Sequence, residues 1–131
     1  MKELAYYNGR IGELSEMMIP MSDRVCWFGD GVYEAHLCRN YHIFTLDEHV
    51  DRLFSNASLL EIEMPMDKQE LKDLLNALVL KMDSGDLVVY YQVTRGSGKR
   101  NHAFPEGAPF PIMCSRAWRL LPRSARPPSP P

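Results

Sequence analysis

Two short runs concentrate the residues able to do chemistry: Phe28-Gly-Asp-Gly-Val-Tyr-Glu34 and Thr94-Arg-Gly-Ser-Gly-Lys-Arg-Asn-His-Ala-Phe-Pro105. In the first, Gly29 and Gly31 let backbone and ligand approach closely just ahead of Tyr33. In the second, Arg100 and His102 bring a guanidinium and an imidazole, both able to donate hydrogen bonds, into one short loop. Arg52, within His49-Val-Asp-Arg-Leu53, is another planar, permanently charged donor. Each also has an ordinary reading taken singly. Tyr33 is then a half-buried strand tyrosine, Arg52 a solvated helix arginine whose ion pairs contribute little, and Arg100-Asn101-His102 a polar loop. His49 reads as structural, and Arg95 as a strand-end residue that shapes the loop.

Local signals set out the elements that must hold these residues. Leu4 to Tyr7 and Arg10 to Leu14 flank Asn8-Gly9, a pair that supplies the two positive-φ positions of a type I′ hairpin turn. Val32 to Arg39 alternates as a strand, with Tyr33, Ala35 and Leu37 on one face and Val32, Glu34, His36 and Cys38 on the other. After a turn near Asn40, His42 to Phe44 returns beside it. Thr45 and Glu48 have the spacing of a capping box, so a helix is expected to begin there, with Leu46, Val50, Leu53, Ala57 and Leu60 on its apolar face and Pro65 ending it. Asp67 and Glu70 repeat the box ahead of a second helix whose stripe is Leu71, Leu74, Leu75, Leu78 and Met82, stopped by Ser84-Gly85. Leu87 to Arg95, rich in Val and Tyr, reads as a central strand, Thr94 to Pro111 as a loop, and Phe110 to Met113 as the opening of one more strand. The order predicts an α+β fold: a largely antiparallel sheet with two helices packed on it.

The 131 residues make one domain, large enough to bury a core without disulfides or a structural metal. All 17 acidic residues lie at or before Glu106, and Arg116, Arg119, Arg123 and Arg126 follow it. An acidic body of this kind argues against nucleic acid as a partner, because phosphate neutralisation needs a clustered basic face. Cys26, Cys38 and Cys114 have neither metal spacing nor an even count, which fits a reducing cytoplasm. No apolar run is long enough to span a membrane, and the first residues lack the apolar core of a secretion signal.

Residues 114–131 change character, with half of the ten prolines and no acidic residue or lysine. Such a stretch buries too little surface to offset its ordering entropy. The expectation is a domain over 1–113 followed by an Arg/Pro-rich tail, disordered and foreign to the fold, arising by truncation or an out-of-frame continuation.

The motifs at Gly29–Glu34, His49–Leu53 and Arg100–His102, in this order, resemble the N-terminal domain of class IV pyridoxal-phosphate (PLP) aminotransferases, the D-amino-acid and branched-chain group. The resemblance covers roughly residues 4 to 113. It implies that Tyr33 walls the substrate pocket with Glu34 orienting the site, that Arg52 reaches the PLP phosphate, and that Arg100 and His102 trap the substrate α-carboxylate. That last pair resembles D-amino-acid (D-alanine) transaminases, which pass an amino group from a D-amino acid to a 2-keto acid, more than the branched-chain enzymes. Ala35 and His36 stand where side chains tune the pocket. The resemblance also implies a homodimer. Transamination needs a lysine to carry PLP and move a proton, and in the family that lysine comes from a second domain. Lys2, Lys68, Lys72, Lys81 and Lys99 match no such position, so no catalytic residue is assigned and the chain is expected to be inactive alone. Aminodeoxychorismate lyase and branched-chain aminotransferase share the fold and remain alternatives, as does a non-catalytic interaction domain using the Arg/Pro tail.

Overall fold

The computed structural model describes residues 2–99, residue 103 and the backbone of 112–119. The chain opens as the expected hairpin: β1 (Glu3–Tyr7) pairs with β2 (Arg10–Gly12) across Asn8 and Gly9, both at positive φ, 48° and 92°. A 3-10 turn (Leu14–Glu16) and a short helix α1 (Val25–Phe28), which no sequence signal announced, lead to β3 (Gly31–Arg39). A two-residue β4 (His42–Ile43) folds back on it. Then come helices α2 (Leu46–Leu59) and α3 (Lys68–Val79), strand β5 (Leu87–Thr94) and strand β6 (Ile112–Arg119). The strands form one antiparallel sheet in the order β2-β1-β6-β5-β3-β4, so the α+β architecture expected from the sequence is the one observed.

Strand β6 crosses the expected boundary at Met113. This strand runs on through Arg119, pairing with β1 from Cys114 to Trp118 and with β5 from Ile112 to Arg119. Residues 114–119 therefore lie at the centre of the sheet, joining the N-terminal hairpin to the rest. Backbone N–H and C=O groups on both neighbours require a partner whatever the side chains are, and composition alone did not reveal that requirement. Residues 120–131 lie outside the described part of the chain.

The alternation of β3 decides which face is covered. Glu34, His36 and Cys38 are buried, as are Leu87, Val89, Tyr91 and Val93 on β5. Against them pack Val50, Leu53 and Ala57 of α2 and Leu71, Leu75, Leu78 and Val79 of α3. The opposite face, with Tyr33, Ala35 and Leu37, is exposed. A glutamate and a histidine thus sit on the core side of the sheet, and their partners define the site below.

Helix ends show where local rules held. At α3 the capping box is complete: the Glu70 N–H donates to Asp67 Oδ1 at 2.8 Å and the Asp67 N–H to Glu70 Oε2 at 3.2 Å. At α2 it is not. Thr45 has φ 51°, a left-handed conformation that aims its hydroxyl at the Phe44 carbonyl instead of the first-turn amides. The helix still begins at Leu46, but without that cap. It ends on Glu61 at φ 55°, with the Glu61 N–H bonded to Ser58 O and the Ile62 N–H to Ala57 O, the paired bonds of a Schellman motif. The second helix stops at Val79, ahead of Ser84-Gly85.

Gly85 has a separate role. The turn before β4 places Asn40 and Tyr41 at φ 48° and 63°, costly for a tyrosine. It is held by bonds from the Tyr41 N–H to Gly85 O and from the Asn40 N–H to Asp86 Oδ1. A Cβ on Gly85 would stand 2.4 Å from Tyr41 N and 2.8 Å from Asn40 C, both backbone atoms. Gly85→Ala is expected to lower stability by about 1–3 kcal/mol through this overpacking, read as a fall in the urea midpoint at unchanged slope.

Candidate functional site

Because β4 covers only Cys38 and Arg39, the edge of β3 from Gly31 to Leu37 has no strand beside it among the described residues. Side chains from both faces of β3 meet α2 there. The resulting cleft, about 390 Å³, is lined by Tyr33, Glu34, Ala35, Arg52 and Asn56. Two of the residues singled out in the sequence, Tyr33 and Arg52, are thereby brought to one place.

Glu34 is the hub. Its carboxylate is 1% exposed and accepts Arg52 Nε at 2.5 Å, Arg52 Nη2 at 2.6 Å and His49 Nδ1 at 2.6 Å. The arginine is thus held by a bidentate fork, a geometry that lysine cannot reproduce. Burial pushes the Glu34 carboxyl up, and the hydrogen bonds and charges of Arg52 and His49 outweigh it, holding the group below its ordinary value. Arg52 itself is 62% exposed and opens onto the cleft. Its Nη1 has no hydrogen-bond partner among the described residues, leaving donors for an anion.

Behind this pair lies a buried layer. His36 Nδ1 is 3.0 Å from Phe44 O, an atom that can only accept, so Nδ1 carries the proton and Nε2 accepts the Tyr91 hydroxyl at 2.7 Å. Burial keeps the His36 ring neutral by lowering its pKa, and the neighbouring His49 acts in the same direction. Burial likewise pushes the Tyr91 phenol up. The His36 ring lies 4.3 Å from that of His49, bracing the imidazole that bonds Glu34. On the exposed face Tyr33, 65% accessible, stacks on Tyr90 at 5.6 Å.

A second cluster fixes the glycine turn. Gly29 has φ 60°, and a Cβ on Gly31 would meet Val93 O at 2.9 Å, so β3 passes β5 too closely for any side chain there. Between the two glycines, Asp30 Oδ2 accepts Arg24 Nε and Arg95 Nε, each at 2.8 Å. Both guanidiniums are nearly inaccessible, 4% and 7%. Arg95 continues to Glu61 O at 2.9 Å and to Leu60 O, placing a cation on the carbonyl end of α2. The strand-end arginine thus ties the glycine turn to the helix that carries Arg52. Asp23 accepts the Thr94 hydroxyl at 2.9 Å and completes the cluster. Arg24 and Asp30 carried no sequence signal as a pair. They stand on either side of α1, and only folding sets them side by side.

Arg100 and His102 lie outside the described residues. The loop is described up to Lys99 and again at Ala103, whose carbonyl accepts Arg24 Nη1 at 3.3 Å. Lysines do not line the cleft. Lys68 Nζ pairs with Asp51 at 3.0 Å and Lys72 Nζ with Asp47 at 2.7 Å, on the outer surfaces of the helices. Among the described residues no group of three or more His, Cys, Asp or Glu is placed to hold a metal, and no helix is long and apolar enough to cross a membrane.

Comparison with known proteins gives a consistent result. The family model for amino-transferase class IV matches residues 31–129. D-alanine aminotransferase from Listeria monocytogenes is 38% identical over 120 residues, covering 91% of this chain and 42% of the relative. That from Bacillus licheniformis is 42% identical over 101 residues, covering 77% and 36%. Among solved structures, the branched-chain amino acid aminotransferase of Escherichia coli superposes with a TM-score of 0.83 at 16% identity, covering 92% of this chain and 42% of that one. 4-Amino-4-deoxychorismate lyase from Pseudomonas aeruginosa superposes at 0.71 with 31% identity, covering 95% and 42%. The chain thus spans about two fifths of the length of the curated relatives first matched.

Proposed function

The chain belongs to the class IV aminotransferase family, and from that footing we propose that it forms the domain of a PLP-dependent D-amino-acid aminotransferase that receives the substrate carboxylate and the cofactor phosphate. The observation that carries this reading is the Glu34-held guanidinium of Arg52 opening onto the cleft walled by Tyr33. The choice of D-alanine or a related D-amino acid as donor, with a 2-keto acid as acceptor, is supported by likeness to D-alanine aminotransferases.

The described residues fit the phosphate end of PLP and not its aldehyde end. Arg52 offers a positioned fork to an anion, whereas no lysine lines the cleft. When bound, the cofactor supplies an aldehyde that takes up the amino group and a ring that spreads the electron pair left on the α-carbon. Arg52 binds the phosphate. Glu34 and His49 stop the guanidinium from rotating away, and Tyr33 closes one wall. Arg100 supplies a bidentate donor and His102 a second donor for the α-carboxylate, fixing which face of the substrate is presented. The lysine that moves the proton is assigned to the part of the longer relatives that this chain does not span. Homodimeric assembly and a cytoplasmic location belong to the same proposal. The exposed sheet face with Tyr33 and Leu37 supports the first, and the free thiols of Cys26 and Cys38 support the second.

The direct experiment joins this chain to the part of the Listeria monocytogenes enzyme that lies beyond the matched region. The hybrid is assayed for D-alanine-dependent amination of 2-keto acids. Turnover with D-alanine and none with L-leucine is expected. Release of pyruvate from aminodeoxychorismate in place of transamination would favour the lyase reading, which the 31% identical structure keeps open.

A further inference from the structure

We propose that Arg24 is a positioning residue for the loop carrying Arg100 and His102, holding the loop backbone on both sides of that pair without itself meeting a ligand. The functional meaning rests on the carboxylate reading of Arg100 and His102 given above. The contacts that hold the loop do not.

Asp30 Oδ2 receives Arg95 Nε as well as Arg24 Nε, each at 2.8 Å. One carboxylate therefore faces two guanidiniums, and from it they reach different segments: Arg95 the carbonyl end of α2, Arg24 the loop. Arg24 Nη1 extends to the carbonyl of Ala103 at 3.3 Å, 79 residues on, while the guanidinium lies 4.7 Å from the Phe28 ring centre, which limits its rotation.

The backbone around Arg24 holds the near side of the same loop. The Arg24 N–H donates to Gly96 O at 2.9 Å, the Gly98 N–H donates to Ser22 O at 3.1 Å, and Asp23 bridges to Ser97. Gly96 sits at φ 99°, a turn only glycine makes cheaply. Three consecutive residues, Ser22 to Arg24, thus grip the loop at Gly96 to Gly98, and the Arg24 side chain grips it again at Ala103. The pair read as the carboxylate receptor lies in sequence between these two grips.

Trypsin reports on this segment because Lys99 and Arg100 both lie within it. The full 131-residue chain is compared with Arg24→Met, Arg24→Lys and, as a control for general destabilisation, Val79→Ala in the core of α3. Each is digested at the temperature giving the same folded fraction, and fragments are timed by mass spectrometry. Arg24→Met is expected to be cut after Lys99 or Arg100 about tenfold faster than the parent, with cleavage after Lys72 and Lys81 unchanged. Val79→Ala, matched in folded fraction, should be cut at the parent's rate at every site. Arg24→Lys should protect the loop less than halfway, since one ammonium cannot span Asp30 and Ala103. Equal loop cleavage in Arg24→Met and Val79→Ala, no acceleration in Arg24→Met, or complete protection by lysine overturns the proposal. The readout needs no ligand, so it fails or succeeds independently of the carboxylate assignment.

Discussion

Asp30→Ala lowers the free energy of unfolding by about 3–5 kcal/mol, the largest stability loss expected from any single charged residue here. The reason is asymmetry. Truncating Asp30 leaves Arg24 and Arg95, 4% and 7% exposed, as adjacent buried cations with their shared anion gone. Removing either arginine leaves the carboxylate with the other. Urea unfolding followed by circular dichroism measures the difference, and a loss below about 1 kcal/mol, the range of a surface pair, would show that water compensates the two cations.

The same residue has a pH signature. Burial raises the Asp30 pKa, but the hydrogen bonds and charges of Arg95 and Arg24 outweigh that and hold it below the ordinary 3.8. The folded state then binds the proton more weakly than the unfolded state. The contribution is present above the unfolded value and is lost as pH falls from about 4 through the depressed folded value. Asp30→Ala should therefore flatten the acid limb of the stability curve. Glu34, also depressed from its ordinary 4.5, keeps part of that limb in the variant. An acid limb of unchanged steepness would place the titration elsewhere.

In the hybrid enzyme, Arg100→Ala is expected to reduce kcat/KM for D-alanine by about 2–5 kcal/mol, mostly through KM, with cofactor content unchanged. In its proposed role Arg100 is the bidentate donor to the substrate carboxylate, and removing it leaves that carboxylate without this donor. Arg52→Ala is expected to do the reverse, releasing cofactor on gel filtration while KM at saturating cofactor moves little. Glu34→Gln should resemble Arg52→Ala in milder form, because the amide keeps the shape of the hub but only one acceptor oxygen for a fork that now uses two. Matching profiles for the Arg100 and Arg52 variants would mean that both residues serve the same ligand.

Elements governed by neighbours in sequence were legible before the structure. Asn8-Gly9 makes its hairpin because both residues tolerate positive φ. Asp67 and Glu70 cap α3 because the box needs only a spacing of three residues, and β3 alternates because a strand does so wherever it lies. The motifs at Gly29–Glu34 and His49–Leu53 likewise pointed to the family that the comparisons support. Thr45 shows the limit: its box spacing is correct, yet the chain enters α2 from the β4 turn with Thr45 at φ 51°, away from the extended backbone typical of a capping residue, and its side chain makes no cap bond. Cys114 to Arg119 read as tail by composition, but unpaired backbone on β1 and β5 recruits them into the centre of the sheet. Sequence periodicity separated the two faces of β3 without saying which is buried. Only packing against α2 and α3 puts Glu34 and His36 inside, and once there the glutamate must find Arg52 and His49. The Arg24–Asp30–Arg95 cluster joins segments near residues 24, 30, 60, 95 and 103. Long-range closure alone brings these together, because a buried charge chooses its partners by distance in space and not along the chain.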